Sequence, residues 1–199
     1  STKTLTPNEL IQAMLKAPVD LLWNGGIGTY VKSSKETNDQ VGDRANDSLR
    51  VNGKDLRCKV IGEGGNLGFT QLGRIEYAAN GRVNTDAIDN AAGVDCSDHE
   101  VNIKILLNKL VEQASLSGKQ RDNLLAKMTD EVSDLVLRNN YLQTQAISMV
   151  ERQAPAMLEV HARLIDRLGQ EGRLDRRVEY LPDHAEIEQR KTHGECVHR

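Results

Sequence analysis

K-V-I-G-E-G-G-N-L-G-F-T-Q-L-G-R-I-E-Y-A-A-N-G-R-V-N-T-D-A-I-D-N-A-A-G-V-D-C-S-D-H-E-V-N-I-K, from Lys59 to Lys104, sets the architecture of this chain. A short apolar run meets a glycine cluster, then a helix-length segment, a polar turn and another helix start. Strand, tight loop and helix in that order is how α/β folds build ligand sites at strand ends. Leu56 to Ile61 reads as a strand with Cys58 inside it. Gly62 to Gly68 reads as a strand-to-helix turn lined with glycine. It departs from the dinucleotide fingerprint G-x-G-x-x-G, which would need glycine at position 67, where Leu67 stands. Thr70 is placed to cap a helix running to Ala79, with Asn80-Gly81 as a left-handed stop. Thr85 caps a brief helix through Ile88.

Asn90-Ala91-Ala92-Gly93-Val94 reads as a loop of small side chains. Either another group approaches closely there or the packing is simply economical. Ser97-Asp98-His99-Glu100 holds every residue type of a hydrolase triad, but neighbours on one helical turn point apart and form no relay. Ser97 and Glu100 instead fit a capping box. Ile103, Leu106, Leu107, Leu110 and Val111 then form one apolar stripe, closed by Ser117-Gly118.

On the N-terminal side, Thr6, Pro7 and Glu9 read as cap, first helical residue and capping-box partner, with Leu5 and Leu10 as a staple. Pro18 ends that helix. Val19 to Trp23 reads as a buried strand opening into Asn24-Gly25-Gly26-Ile27-Gly28-Thr29. Its glycines permit close backbone approach to a ligand, or make a plain connecting turn. Lys32 to Asp55 is polar and without a sustained period, so short helical turns and exposed loop are expected.

From Lys119 onward a 3.6-residue period dominates. One amphipathic helix carries Leu124 to Val136, and a second spans about Tyr141 to Gln153. After Pro155 a third carries Met157 to Leu168, ended by Gly169 or Gly172. His161 on its stripe reads as a packing histidine. A last short helix runs from His184 to Arg190. His193, Cys196 and His198 crowd the tail, which reads as an exposed terminus rather than a metal site.

The composition excludes several function classes. With 199 residues and a net charge of -3, the chain suits one domain, or one and a small second, and shows no basic field for nucleic acid. One Trp, one Phe and four Tyr are too few for base-stacking surfaces. No apolar run approaches the roughly 18 residues of a membrane span, and no signal peptide is evident. Three widely spaced cysteines give no disulfide framework and no zinc knuckle. A reduced, cytoplasmic chain is expected.

Asp20 to Lys32, Gly42 to Asp47, Gly62 to Gln71 and Asn84 to Lys104 closely resemble the large bacterial NAD-specific glutamate dehydrogenases. Leu135 to Tyr141 and Glu179 to Pro182 are similar too. Family enzymes are much longer, so the resemblance implies a C-terminal portion of the catalytic region. It implies the C-terminal half of a Rossmann-like nucleotide-binding α/β domain over residues 1–116. A helical extension over 117–199 follows.

Shorter glutamate dehydrogenases carry E-G-A-N after a late strand, matched here by Glu63-Gly64-Gly65-Asn66. They also carry N-A-G-G-V with a serine seven residues after the Asn, matched by Asn90 to Val94 and Ser97. The resemblance therefore implies NAD contacts for Asn66, Asn90, Gly25 and Gly26, and a substrate-carboxylate contact for Ser97. Ala92 replaces a glycine of that pattern, and Asp98-His99 replaces an aromatic pair. The implied reaction is oxidative deamination of L-glutamate to 2-oxoglutarate and ammonia in a homo-oligomer. No Gly-rich fingerprint and no matched catalytic Lys and Asp pair lie in this chain, so no catalytic residue is assigned and isolated inactivity is expected. A rival expectation is a non-catalytic regulatory or oligomerisation module.

Overall fold

The computed structural model describes residues 4–193; Cys196 and His198 lie outside them. Helix α1 (Pro7–Leu15) starts as its sequence dictates. The Thr6 side chain accepts from the Glu9 N–H, and the Glu9 carboxylate accepts from the Thr6 N–H at 2.8 Å. The short strands β1 (Leu21–Asn24), β2 (Val31–Lys32), β3 (Val51–Asn52) and β4 (Val60–Glu63) follow, with α2 (Asn38–Val41) between β2 and β3. Then come α3 (Gln71–Ala78), α4 (Asp86–Asp89), α5 (Ala91–Glu112), α6 (Gly118–Gln153), α7 (Leu158–Gln170) and α8 (His184–His193). The chain is thus mixed α/β, mostly helical, with a few short parallel strands.

β1 pairs in parallel with β4, Leu21 opposite Val60 through Asn24 opposite Glu63. On the far side of β4, the Ile61 N–H donates to the Arg82 carbonyl at 2.9 Å. β4 is therefore central, and Ile61, Gly62 and Glu63 are buried. β1 is an edge. This corrects the expectation of a buried strand at Val19 to Trp23: Leu21 is 55% and Trp23 59% exposed. β2 pairs in parallel with β3 and is bridged to Phe69. Val31, Val51, Leu56, Cys58, Ile61, Phe69 and Tyr77 close the main core between these strands and α3. A smaller core joins Leu158, Ile165 and Ile187 across α7 and α8.

Several expectations are corrected. The strand expected at Leu56 to Ile61 sits further on, at Val60–Glu63, and buried Cys58 precedes it. The short helical turns expected within Lys32 to Asp55 form, at Asn38–Val41, Arg44–Asn46 and Gly53–Asp55, but the rest is not simply exposed loop: Ser33, Leu49, Arg50 and Val51 are buried. Arg50 is buried and donates to the Thr29 carbonyl at 2.8 Å, to Asn38 Oδ1 at 2.9 Å and to Asp47 Oδ1 at 2.6 Å. A hub of that kind has no hydrophobic period, so the burial of Arg50 leaves no mark in the sequence pattern. Gly81 is not a left-handed stop. It is glycine because a Cβ there would lie 2.0 Å from the buried Tyr77 hydroxyl.

Ser117-Gly118 does not close α5. Ser117 caps α6, accepting from the Gln120 N–H at 3.3 Å. The two helices expected after Lys119 are one, because no Pro or Gly interrupts residues 119–153. Asn140 Nδ2 donates back to the Val136 carbonyl and Thr144 Oγ1 to the Asn140 carbonyl, so these polar side chains are satisfied inside the helix. The break near Pro155 and the third helix are observed.

Hydrogen bonds to carboxylates tie this fold to pH. Burial alone would raise the Glu76 carboxyl, but bonds from Ser34 and from the Lys54 N–H overcome it and hold the group below its ordinary value. The Thr29 N–H and Asn46 do the same for Asp43. A depressed carboxyl contributes stability that is present above its unfolded value and lost as pH falls through its folded value. The thermal unfolding midpoint is therefore expected to fall as pH drops below about 4.5, the ordinary value for Glu76. In Glu76→Gln that acid limb becomes shallower.

Candidate functional site

The carboxyl ends of β1 and β4 carry the two glycine loops side by side. The Gly64 N–H donates to the Asn24 carbonyl at 2.9 Å, and a Cβ on Gly65 would lie 2.9 Å from the Gly26 carbonyl oxygen. The backbones touch, so only glycine fits at position 65. Gly25 and Gly26 are exposed, with no atom closer than 3.4 Å to an added Cβ. Leu67, where the fingerprint would require glycine, adopts a left-handed φ of 59°. The backbone of a glycine position is kept there without the glycine.

The loop is held by a buried polar network that the sequence did not reveal. Glu63 is fully buried and accepts from Arg74 Nε at 2.8 Å and Nη2 at 3.1 Å, and from the Phe69 N–H at 3.1 Å. Asp86 pairs with Arg74 at 3.2 Å and accepts from the Leu67 N–H at 2.7 Å. Asp89 accepts from the Glu63 N–H at 3.0 Å. Burial pushes the Glu63 carboxyl above its ordinary value, against the pull of Arg74. The available signal was the single Arg of α3, one helix after a strand-end Glu. Asn24 Nδ2 is buried without a hydrogen-bond partner, seated over Gly68, where a Cβ would come within 1.9 Å.

Asn66 and Asn90, 24 positions apart, meet at this rim: Asn90 Nδ2 donates to Asn66 Oδ1 at 2.8 Å. Asn90 stands at the joint between α4 and α5. It is the N-cap of α5, but its side chain caps nothing there and reaches Asn66 instead. The expected loop from Asn90 to Val94 is the first turn of α5, and the expected capping box of Ser97 and Glu100 does not form. Ser97 is exposed in the second turn. Its N–H is spent inside the helix, so no free backbone donor accompanies the Ser97 hydroxyl. Seven residues past Asn90, it shares that residue's helical face roughly 10 Å further along the axis. Gly25, Gly26, Asn66 and Asn90 are thus gathered at one strand end, with Ser97 beyond them.

Among the described residues, no group of three or more His, Cys, Asp or Glu could hold a metal ion, and no helix is long and apolar enough to cross a membrane. His193 closes α8, its Nδ1 2.8 Å from the Gln189 carbonyl. Cys58 is a free, buried thiol and Cys96 a free, exposed one.

A family model described as bacterial NAD-glutamate dehydrogenase, catalytic domain, matches residues 1–150. A Pseudomonas aeruginosa protein named NAD-specific glutamate dehydrogenase is 60% identical over 196 residues, 98% of this chain and 12% of that protein. Proteins of the same name from Halomonas elongata and Mycobacterium tuberculosis are 58% and 52% identical, each over 96% of this chain and 12% of their own length. The chain therefore spans about an eighth of these relatives. With three quarters of its length matched by the family model, it belongs to the bacterial NAD-glutamate dehydrogenase family.

Proposed function

We propose that this chain is a segment of an NAD-dependent glutamate dehydrogenase and forms one wall of its cofactor and substrate cleft. The observation that carries the reading is the Asn66–Asn90 hydrogen bond at the shared end of two parallel strands, beside open glycine backbone. Ligands in α/β sheets sit at such carboxyl ends. The residues fit a nicotinamide dinucleotide. Gly25 and Gly26 allow close backbone approach, Asn66 and Asn90 offer donors and acceptors to ribose or carboxamide, and Asn24 Nδ2 is a donor still without a partner.

Held by these residues, NAD would supply the hydride acceptor for oxidative deamination of L-glutamate to 2-oxoglutarate and ammonia. The work assigned to this chain is orientation. The carboxamides hold the cofactor rim and the Ser97 hydroxyl faces the distal carboxylate of glutamate. Residues 1–116 are then the C-terminal half of a Rossmann-like domain and 117–199 its helical extension. The proton-transfer groups and the phosphate-binding fingerprint come from elsewhere in the enzyme, so the 199-residue chain alone reduces no NAD.

In the full-length enzyme, Asn66→Ala and Asn90→Ala are each expected to raise KM for NAD about five- to thirtyfold, as loss of one or two hydrogen bonds requires. Ser97→Ala raises KM for glutamate instead. Unchanged NAD KM in both Asn variants would remove the reading. A second reading, an oligomerisation module, is favoured by apolar exposure along α6: Leu142 is 46%, Met149 58% and Val150 53% exposed. Concentration-dependent size-exclusion chromatography tests it, and a homo-oligomeric dehydrogenase accommodates both.

A further inference from the structure

We propose that Asn139, on the helical extension, is a positioning residue for the cleft, acting through Asp95. The inference rests on the dehydrogenase reading above. Asp95 lies on the first two turns of α5, between Asn90 and Ser97, and is about four-fifths buried, with 20% side-chain exposure. Asn139 Nδ2, from α6, donates to Asp95 Oδ2 at 2.8 Å. The other carboxylate oxygen, Oδ1, lies 3.1 Å from His99 Nδ1, which also sits 2.7 Å from the Asp95 carbonyl. Both oxygens of Asp95 are thereby engaged, one along its own helix and one across to α6.

The geometry matters because no side-chain cap pins the start of α5. The Asn90 side chain leaves its capping role to meet Asn66. Further along, α5 and α6 pack lengthwise, with Leu107 and Val136 buried, but apolar packing resists sliding and rotation poorly. A directional bond to a largely buried carboxylate fixes both. The same helix α6 also touches α4, whose Asp86 and Asp89 hold the glycine loop. One long helix thus braces the segment that delivers Asn90 and Ser97, and a rotation of α5 would move both side chains together.

The test uses the full-length enzyme and steady-state kinetics in NAD and in glutamate. Asn139→Ala is expected to raise KM for both about three- to tenfold, only part of the effect of one lost hydrogen bond to a charged group because it reaches the cleft through α5, while kcat stays within about twofold. The exchange Asp95→Asn with Asn139→Asp reverses the donor and acceptor across the same gap. It restores both KM values to within about twofold of wild type, because the amide then at position 95 can still accept from His99 while donating to position 139. Asn139→Asp alone sets two carboxylates face to face and is worse than Asn139→Ala.

A general packing role would lower the thermal midpoint and kcat together and would not be rescued by the exchange, which overturns the proposal. Unchanged KM in Asn139→Ala, alongside raised NAD KM in Asn90→Ala, overturns it and leaves the dehydrogenase reading standing. Silence of Asn139→Ala together with both Asn66→Ala and Asn90→Ala overturns the two together. Should Asn139→Ala not accumulate, Asn139→Ser carries the same expectations.

Discussion

Replacing Arg74 with Met is expected to destabilise the chain by about 3–5 kcal/mol, as breaking one side of a buried ion pair does. The Glu63 side chain has no exposure and Arg74 only 7%. Without the guanidinium, Glu63 keeps the Phe69 N–H as a partner and faces Asp86 without its counter-charge. Chemical denaturation at neutral pH reads the loss. The sign with pH is also fixed. Glu63 already has a raised carboxyl, and removal of Arg74 raises it further. A raised carboxyl contributes stability that is present below its unfolded value and lost as pH rises through its folded value. The penalty in Arg74→Met therefore shrinks in acid, where Glu63 is neutral, and grows toward neutral pH. The double variant Glu63→Leu with Arg74→Met is expected to be more stable than Arg74→Met alone, since no charge is left stranded. A penalty below about 1 kcal/mol, the range of an exposed pair, would show that this network does not brace the loop.

The largest expected effect on activity comes from Gly65→Ala. The added Cβ meets the Gly26 carbonyl oxygen at 2.9 Å, and a backbone oxygen cannot swing aside as a side chain can. The two glycine loops must part, and the rim that carries Asn66 moves with them. In the full-length enzyme, kcat/KM for NAD is expected to fall about a hundredfold, the effect of displacing an orienting group by an ångström or so. The stability change stays near the roughly 1–3 kcal/mol usual for overpacking. Gly118→Ala is the matched control. It stands in open space at the first position of α6, with nothing within 4 Å of an added Cβ, and leaves the kinetics unchanged. Equal kinetics for Gly65→Ala and wild type would mean that the contact between loops does not shape the cleft.

Much of this was legible in the residues themselves, for local reasons. The Thr6 and Thr70 caps, the end of α6 before Pro155 and the α7 stripe depend on neighbours three or four positions away, and each stands where the pattern placed it. Family membership was legible because long strings such as Asp20 to Lys32 and Gly62 to Gln71 are specific. The failures share a different cause. Ser97 satisfied every local rule for a cap, yet α5 begins six residues earlier, where Asn90 turns to Asn66 across 24 positions of chain. Trp23 reads as core, yet lies on an edge strand, because strand order is a property of the assembled sheet. The Glu63–Arg74–Asp86 network and the Arg50 hub leave no period to read, since hydrogen bonds between distant residues follow no spacing. Local propensity chose the elements of this chain; long-range polar contacts, which keep buried charges such as Glu63 and Arg74 satisfied, chose how its loops meet.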